Sequence, residues 1–276
     1  MEYKRLDPVS IENKMKAECF GKRVVCYDEI DSTNLAAKKL GKQAGSHGVL
    51  VVAEQQYAGR GRLGRHWSSP KGSGIWMSLV LQPEIRPEHA AMLTLVTALA
   101  VNQGIREVTG IKSYIKWPND IIVHGKKVCG ILTEMSTVNE KLECVVIGMG
   151  INAKQVSFSE ELKLTATSLE LEGADNIDRT ELIACIIGYL EQYFIRFIKT
   201  ESLQEMTEEY NASLINLGRQ VRILGDNAGY TGTALGINES GALLVQTEET
   251  SQGVKNAVVK TIVSGEVSVR GIYGYV

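Results

Sequence analysis

Neither sign of charge dominates this 276-residue chain: 30 Lys and Arg against 32 Asp and Glu leave a formal net charge of −2. The overall balance therefore gives no electrostatic footprint for DNA or for an anionic membrane. Cysteine is sparse and odd in number, at Cys19, Cys26, Cys129, Cys144 and Cys185, with no C-x-x-C pair. That pattern excludes a complete disulfide frame and the usual zinc spacing, and reads as buried free thiols in a reducing cytoplasm. Long hydrophobic runs are missing too. The longest, around Ala90 to Val101, contains Thr94 and Thr97 and falls short of the ~20 residues that a membrane span needs. Residues Met1 to Asp7 lack the apolar core of a signal peptide, so a soluble, cytoplasmic protein is expected. There is no internal repeat and no low-complexity tract.

Acid is absent in one telling place. From Gln55 to Pro83 there is no Asp or Glu, and inside that stretch runs Gly59-Arg60-Gly61-Arg62-Leu63-Gly64-Arg65-His66-Trp67. Glycines leave the backbone almost without a preferred shape, while each guanidinium offers planar, forked donors that stay protonated. Such a loop suits a small anion carrying carboxylate or phosphate and can fold over it on arrival. Other readings compete. Gly59, Gly61 and Gly64 satisfy the dinucleotide fingerprint G-x-G-x-x-G, but that motif must open straight into a helix. Here the chain continues Ser68-Ser69-Pro70-Lys71-Gly72-Ser73-Gly74, full of helix breakers. An Arg/Gly segment tracking a nucleic-acid backbone and a solvated basic surface loop are the other two.

The length allows one large or two ordinary domains. Arg23 to Asp28, Gly48 to Ala53 and Gly74 to Gln82 read as strands, and Ser32-Thr33-Asn34 before Leu35 to Leu40 reads as an N-cap opening a short helix. Pro87 to Val108 is apolar nearly all round and predicts a buried helix. Lys112 to Trp117 predicts a strand stopped by Pro118. Asp120 to Val123, His124-Gly125-Lys126 and Lys127 to Leu132 predict a hairpin with a tight turn, followed by a strand from Leu142 to Ile151. Asp178 and Glu181 form a capping-box pattern ahead of an amphipathic helix reaching Ile198, and a polar helix is expected from Leu203 to Tyr210.

After Leu217-Gly218 the grammar changes. Gln220–Leu224, Tyr230–Gly236, Ala242–Gln246, Asn256–Ile262 and Glu266–Arg270 are short strands separated by turns such as Gly225-Asp226-Asn227, which suggests a small barrel. A domain boundary near Asn216 is expected, giving domains 1–216 and 217–276. The first domain mixes strands and helices without strict βαβ alternation, so an α/β (α+β) fold with a mixed, largely antiparallel sheet is predicted.

Four further patches carry unusual chemistry. Asp31-Ser32-Thr33-Asn34 places hydroxyls and an amide at a helix start, where free N–H groups also gather. Lys116-Trp117-Pro118-Asn119-Asp120 sets a cation, an amide and a carboxylate around a proline bend, suited to phosphate and to Mg²⁺. At Lys126-Lys127, strand alternation must send one lysine inward and one out. Gly148-Met149-Gly150-Ile151-Asn152 closes a buried strand with two glycines, which would let a flat ligand approach the backbone.

Taken in chain order, D-S-T-N, G-R-G-R-x-G-R-x-W, K-W-P-N-D, G-K-K-V-C-G-I-L and G-M-G-I-N, with Thr167-Ser168-Leu169 and Gly265 to Arg270 beyond them, resemble the biotin protein ligases from about Asp28 onward. The resemblance implies a catalytic domain related to class II aminoacyl-tRNA synthetases followed by an SH3-like barrel. It implies activation of biotin by ATP to biotinoyl-5′-AMP, and transfer to a lysine of a biotin carboxyl carrier protein or domain. By motif, Ser32, Thr33, Asn34 and Gln56 would line the biotin pocket, with Arg60, Gly61 and Arg62 closing over the carboxylate and Lys127 holding it. Arg65, Trp67, Lys116, Asn119, Asp120 and Asn152 would serve ATP, with Asp120 as a Mg²⁺ ligand; Lys127, Arg62 and Lys116 would be the catalytic cations. Arg270 would reach back toward nucleotide or acceptor.

Regulatory members of that family add an N-terminal DNA-binding domain. About thirty residues precede D-S-T-N here, so a monofunctional ligase without specific DNA binding is expected. A lipoate–protein ligase and a biotin-responsive transcriptional regulator are the rival functions. A sheet edge that pairs with a second copy, giving a homodimer, or with the acceptor domain is a further expectation.

Overall fold

The computed structural model describes residues 4–224, 229–251, 254–264, 268–271 and 275–276. Its larger sheet holds β1 (Val24–Ile30), β2 (Leu50–Gln56), β3 (Gly74–Leu81), β4 (Tyr114–Lys116), β5 (Asp120–Val123), β6 (Lys126–Val138) and β7 (Lys141–Asn152). The strand order is β1-β2-β3-β7-β6-β5-β4. Only β1 and β2 run parallel within it, joined through helix α2 (Thr33–Gly41); the other neighbours are antiparallel. The mixed, largely antiparallel sheet expected from sequence is what forms.

The two faces of the sheet are covered differently, and strand periodicity decides which residue goes where. Leu50, Val52, Ile147, Met149 and Ile151 point into the main core, together with residues of α3 (Leu93–Thr109) and α4 (Arg179–Thr200). Val49, Val51, Val80 and Val146 point the other way and meet Ala36 and Ala37 of α2. Beyond the small cover that α2 provides, this second face carries Gly148, Gly150 and Asn152 in place of large apolar side chains. That is where the cleft opens.

Several predicted elements shift. The helix expected over Pro87–Val108 is divided: Pro87–Met92 is 3₁₀, and α3 begins at Leu93 and is capped after Thr109 by Gly110, whose φ of 70° is left-handed. Leu203–Tyr210 is not one polar helix but a 3₁₀ turn, Gln204–Met206, then α5 (Thr207–Ser213), with Met206 and Tyr210 both buried. Helix α1 (Pro8–Lys14) was not anticipated, although Asp7 accepts from Ser10 N and Pro8 takes the first turn, a recognisable start signal. Asp178 caps α4 as expected, accepting from Thr180 and Glu181 N–H, while Glu181 turns to Lys14 at 3.6 Å.

Buried carboxylates tie down the chain at Leu6 and at Glu18 to Phe20. Glu54 pairs with Arg179 at 2.8 Å and accepts from Leu6 N, and Glu191 accepts from the N–H groups of Glu18, Cys19 and Phe20. All five cysteines are free thiols as expected, but only Cys129 and Cys144 are fully buried; Cys26 and Cys185 are half-buried and Cys19 is exposed.

Beyond residue 217 lies a second antiparallel sheet of five strands, β8 (Gln220–Leu224), β9 (Tyr230–Ile237), β10 (Leu243–Ser251), β11 (Val254–Ile262) and β12 (Ser268–Gly271), in the order β11-β10-β9-β8-β12. The expected turn at Gly225-Asp226-Asn227 and the start of the last strand, Gly265 to Val267, lie outside the described residues. This sheet is seated on the first: Trp117 Nε1 donates to Gly241 O at 3.0 Å, Leu203 N to Glu239 O at 2.8 Å, and Ile237 N to Asn211 Oδ1 at 2.8 Å. Among the described residues no helix is long and apolar enough to cross a membrane.

Candidate active site

Two adjoining compartments open over the face of the large sheet where β6 and β7 carry glycine. The smaller, about 50 Å³, is bounded by Ser32, Thr33, Asn34, Gln56, Arg60 and Gly148 among others. The larger, about 430 Å³, is bounded by Arg65, Lys116, Asp120, Asn152, Arg270 and Tyr275 among others. Gly61, Arg62, Trp67, Asn119 and Lys127 border both. Every residue that the resemblance assigned to biotin or ATP thus lines one compartment or the partition between them, whereas Asp31, Lys126 and Thr167–Leu169 line neither.

In the smaller compartment Ser32 is the N-cap residue of α2, but its side chain makes no cap bond; Asp31 accepts from Ser32 N instead. Thr33 and Asn34 lie inside the first turn, with their side chains turned toward the sheet. Gln56 Oε1 accepts from both Thr33 N (2.8 Å) and Thr33 Oγ1 (3.1 Å), and Gln56 Nε2 donates to Ser69 Oγ at 2.9 Å. Ser78 Oγ lies 2.8 Å from Thr33 Oγ1 and 2.6 Å from Asn34 Oδ1. Asn34 Nδ2 donates to Glu134 Oε2 at 2.8 Å, and Lys38 pairs with the same carboxylate at 2.8 Å. Burial works against charge on Glu134, yet Lys38 and Asn34 hold its carboxyl below the usual range. Bonds to one another thus preorganise Thr33, Asn34, Gln56, Ser69 and Ser78, and no such bond occupies the Ser32 hydroxyl among the described residues.

The glycine pair on β7 admits flat groups, but they are the protein's own. A Cβ on Gly148 would stand 2.1 Å from Asn34 Oδ1, and one on Gly150 would stand 2.5 Å from Trp67 Nε1. The indole also lies against Gly130, so it fills the passage between the compartments, and its Nε1 is buried without a hydrogen-bond partner. With the indole there, the smaller compartment has room for only a few water molecules.

The arginine loop forms a narrow turn over both compartments. Trp67 N donates to Gly59 O at 2.9 Å and Gly61 N to Arg65 O at 2.7 Å, with Leu63 (φ 57°) and Gly64 (φ 72°) left-handed at its tip. It contains one 3₁₀ turn, Arg62–Gly64, and then leads into β3, so the helix required by the dinucleotide fingerprint is not there. Arg62 Nη1 donates to Asn119 Oδ1 at 3.0 Å, and Asn119 Nδ2 donates to Ile131 O at 3.0 Å. Burial lowers the Arg62 guanidinium from its ordinary value.

In the larger compartment Lys127 Nζ lies 2.5 Å from Asp120 Oδ1, and Tyr275 donates its hydroxyl to Asp120 Oδ2. Burial opposes charge on Asp120, but Lys127, Tyr275 and Lys116 together hold it below the usual carboxylate range. Burial pulls Lys116 down to about 7, against the pull of Asp120. Its Nζ sits 3.5 Å from the Tyr275 ring centroid. Asn152 Nδ2 donates to Thr167 O at 3.0 Å, fixing the Thr167–Leu169 segment beside the strand end.

Lys127 faces the cleft because of a register shift. Counting back by twos from Gly130 along β6 would turn residue 127 toward the core with Cys129 and Ile131. A bulge opposite Ile121/Ile122 inserts Val128 and re-aims Lys127 to the cleft side. Sequence reasoning missed Ser78, Ser69, Glu134 and Tyr275. A lone hydroxyl in the apolar run Ile75–Leu81 was a usable signal for Ser78; the other three carried none.

Comparison with known proteins agrees with this geometry. A family profile described as "Biotin/lipoate A/B protein ligase family" matches residues 27–152, and one described as "Biotin protein ligase C terminal domain" matches residues 217–270. The "Bifunctional ligase/repressor BirA" of Bacillus spizizenii is 39% identical, covering 93% of this chain and 79% of that protein. The "Biotin--[acetyl-CoA-carboxylase] ligase" of Paracoccus denitrificans is 31% identical, covering 78% and 91%. Among solved structures, a biotin protein ligase from Aquifex aeolicus in complex with biotin and ATP superposes with a TM-score of 0.76 at 32% identity, covering 91% of this chain and 99% of that one.

Proposed function

This chain belongs to the biotin protein ligase family, and we propose that its two compartments carry out the two halves of biotin transfer. It activates biotin with ATP to biotinoyl-5′-AMP and passes the biotinoyl group to a lysine of a carrier protein. One observation supports the division most: a cleft lined by the neutral hydrogen-bonding side chains Ser32, Thr33, Asn34 and Gln56 together with Arg60 adjoins a larger one whose charged lining is cationic but for Asp120, and Lys127 with Arg62 stands between them.

Biotin's ureido ring presents two N–H donors and a carbonyl. Ser32, Thr33, Asn34 and Gln56 offer both acceptors and donors to match them. An unmatched partner would cost on the order of 1–3 kcal/mol, so the set selects for a cyclic urea over a dithiolane. The carboxylate would then end near Lys127, with Arg60, Gly61 and Arg62 over it. ATP would take the larger compartment, with Lys116 and Arg65 for phosphate, Asn119 and Asn152 as polar walls, and Trp67 moving from the partition toward adenine.

In the first step a carboxylate oxygen attacks the α-phosphorus and pyrophosphate leaves. Lys127, Arg62 and Lys116 screen the approach of two anions and stabilise charge developing on the phosphoryl oxygens. In the second step the carrier lysine's amine attacks the acyl carbon and AMP leaves. No enzyme nucleophile is needed. Cys129, two residues from Lys127, is fully buried, and burial pushes its thiol up, so it plays no such part. The arginine loop keeps water from the mixed anhydride between the steps.

The residues present do not fit the expected Mg²⁺ ligation. Among the described lining residues Asp120 is the one carboxylate; its Oδ2 accepts from Tyr275 and its Oδ1 lies 2.5 Å from Lys127 Nζ. No step is routed through a metal. We divide the chain into a catalytic domain, residues 1–216, and a C-terminal domain, residues 217–276. We place the enzyme in the cytoplasm, where its five free thiols stay reduced. Operator binding is not part of the proposal, given the net charge of −2; a gel shift with biotin and ATP tests that.

The deciding experiment incubates the protein with ATP, Mg²⁺, labelled biotin and a carrier domain. Label on the carrier lysine is expected. Calorimetry should give tight biotin binding and none with lipoate; the reverse pattern would overturn the assignment.

A further inference from the structure

We propose that Tyr275 is a positioning residue for the nucleotide half of the reaction: its hydroxyl fixes the rotation of Asp120 and its ring seats Lys116. The proposal rests on the ligase reading of the two compartments given above.

Among the described residues lining the cleft, Asp120 is a lone carboxylate among cations. With both oxygens available it would swing between Lys116, Lys127 and Arg62 and neutralise the charges meant for anionic substrates. Tyr275 removes that freedom. Its hydroxyl occupies Oδ2, leaving Oδ1 for Lys127 at 2.5 Å. Lys116 is then held without a counter-anion: among the described residues it makes no ion pair, and its Nζ rests 3.5 Å from the centre of the Tyr275 ring. A ring face attracts an ammonium without cancelling its charge. The lysine is thus kept in place and left free to meet phosphate.

The tyrosine is itself anchored. Val269 and Arg270 of β12 line the same compartment, and the Arg270 guanidinium lies 5.4 Å from the Tyr275 ring centroid. A Cβ on Gly271 would stand 2.1 Å from Val276 O, so the backbone next to Tyr275 lies directly on that strand. Tyr275 lines the larger compartment and is not among the residues lining the smaller one. Its influence therefore falls on ATP and not on the biotin ring, and the C-terminal sheet takes part in nucleotide binding through it.

The test compares Tyr275→Phe and Tyr275→Ala with wild type in the full chain. It measures KM for ATP and for biotin by pyrophosphate release, the biotin Kd without nucleotide by calorimetry, and Tm. Phe keeps the ring and loses the hydroxyl, so KM for ATP should rise about tenfold, the usual loss for a hydrogen bond to a charged group. Ala also removes the seat of Lys116 and should cost several-fold more. The biotin Kd should stay within about twofold and Tm should hold in the Phe variant. An unchanged KM for ATP in both variants overturns the proposal. So does a joint loss of ATP and biotin binding with a lower Tm, the pattern of a merely structural tyrosine. A wild-type protein that releases no pyrophosphate from ATP and biotin refutes the ligase reading itself, and that result is recognised without any variant.

Discussion

Adding one methyl group to Gly148 should damage the biotin compartment without replacing any side chain assigned to biotin. Gly148 lies in the middle of β7, in register with Ser78 of β3 on one side and Leu132 of β6 on the other. Its Cβ would stand 2.1 Å from Asn34 Oδ1, 2.9 Å from Asn34 Cγ and 3.0 Å from Asn34 Nδ2. The strand is central and cannot retreat, so Asn34 must move by about an ångström, and Asn34 is 5% exposed and held at both ends. Moving it breaks the 2.6 Å contact with Ser78 and the 2.8 Å bond to Glu134. A neutral bond is worth about 1 kcal/mol and one to a carboxylate about 1.5–3, so Gly148→Ala should lose roughly 3 kcal/mol. For a chain of this size that is a fall in Tm of roughly 6–12 °C. The same displacement tilts the first turn of α2 and takes Thr33 off Gln56, so biotin affinity should fall by about tenfold or more. Differential scanning calorimetry and biotin titration read the two effects. Gly188→Ala is the contrast: it lies within α4 with nothing inside 4 Å of its Cβ, and it should gain about 0.5–1 kcal/mol. If Gly148→Ala melts and binds biotin like wild type, the claim that glycine makes the floor of the cleft is wrong.

Lys127→Ala should reduce adenylate formation on the order of 10²-fold, far more than the loss of the Asp120 ion pair lowers Tm, since Tyr275 still donates to that carboxylate; unchanged pyrophosphate release would disprove its role. Backbone amides of residues 60–67 should exchange faster in the free protein than with biotin and ATP bound, and equal exchange would refute loop closure over the adenylate. Arg179→Met should cost about 3–5 kcal/mol, because Glu54 would be left buried and unpaired; chemical denaturation measures it. His47 supplies a pH prediction. Burial lowers its pKa from 6.5, and its Nδ1 accepts from Gln82 N at 3.0 Å, so the fold needs the neutral ring. The unfolded chain takes up a proton on this histidine as pH falls through about 6.5, before the folded one does. Stability contributed by His47 is thus present above that value and lost below it, and His47→Gln should flatten the fall in Tm between pH 7.5 and pH 5.5.

What was legible in the sequence was what punctuation and composition fix locally. The acid-free Gly/Arg stretch, the Pro118 bend and the Gly125 turn sit at strand ends or turns, where residue type and backbone shape are tightly linked, and the paired glycines at 148 and 150 interrupt an otherwise apolar strand. Their meeting at one cleft follows from the strand order, which places the Gly130 and Gly150 strands side by side. The elements that were misjudged depend on tertiary context. Pro87–Met92 tightens to 3₁₀ ahead of α3, and Tyr210 is buried although its neighbours Glu208 and Glu209 suggested a solvated helix.

The most consequential illegible feature is the bulge at Val128. Alternation alone has two outcomes for a Lys-Lys pair, and counting from the glycine at 130 selects Lys126 for the cleft. The extra residue reverses that parity over a single step, so Lys127, and not its neighbour, enters the ion pair with Asp120. A resemblance to a family pattern could name Lys127, but only the backbone explains it. The same shift keeps Val128 and Cys129 together in the core, where both are fully buried. The cation that pairs with Asp120 at the partition is therefore aimed by the two apolar residues that follow it, and substitutions there should be felt as loss of activation before loss of fold.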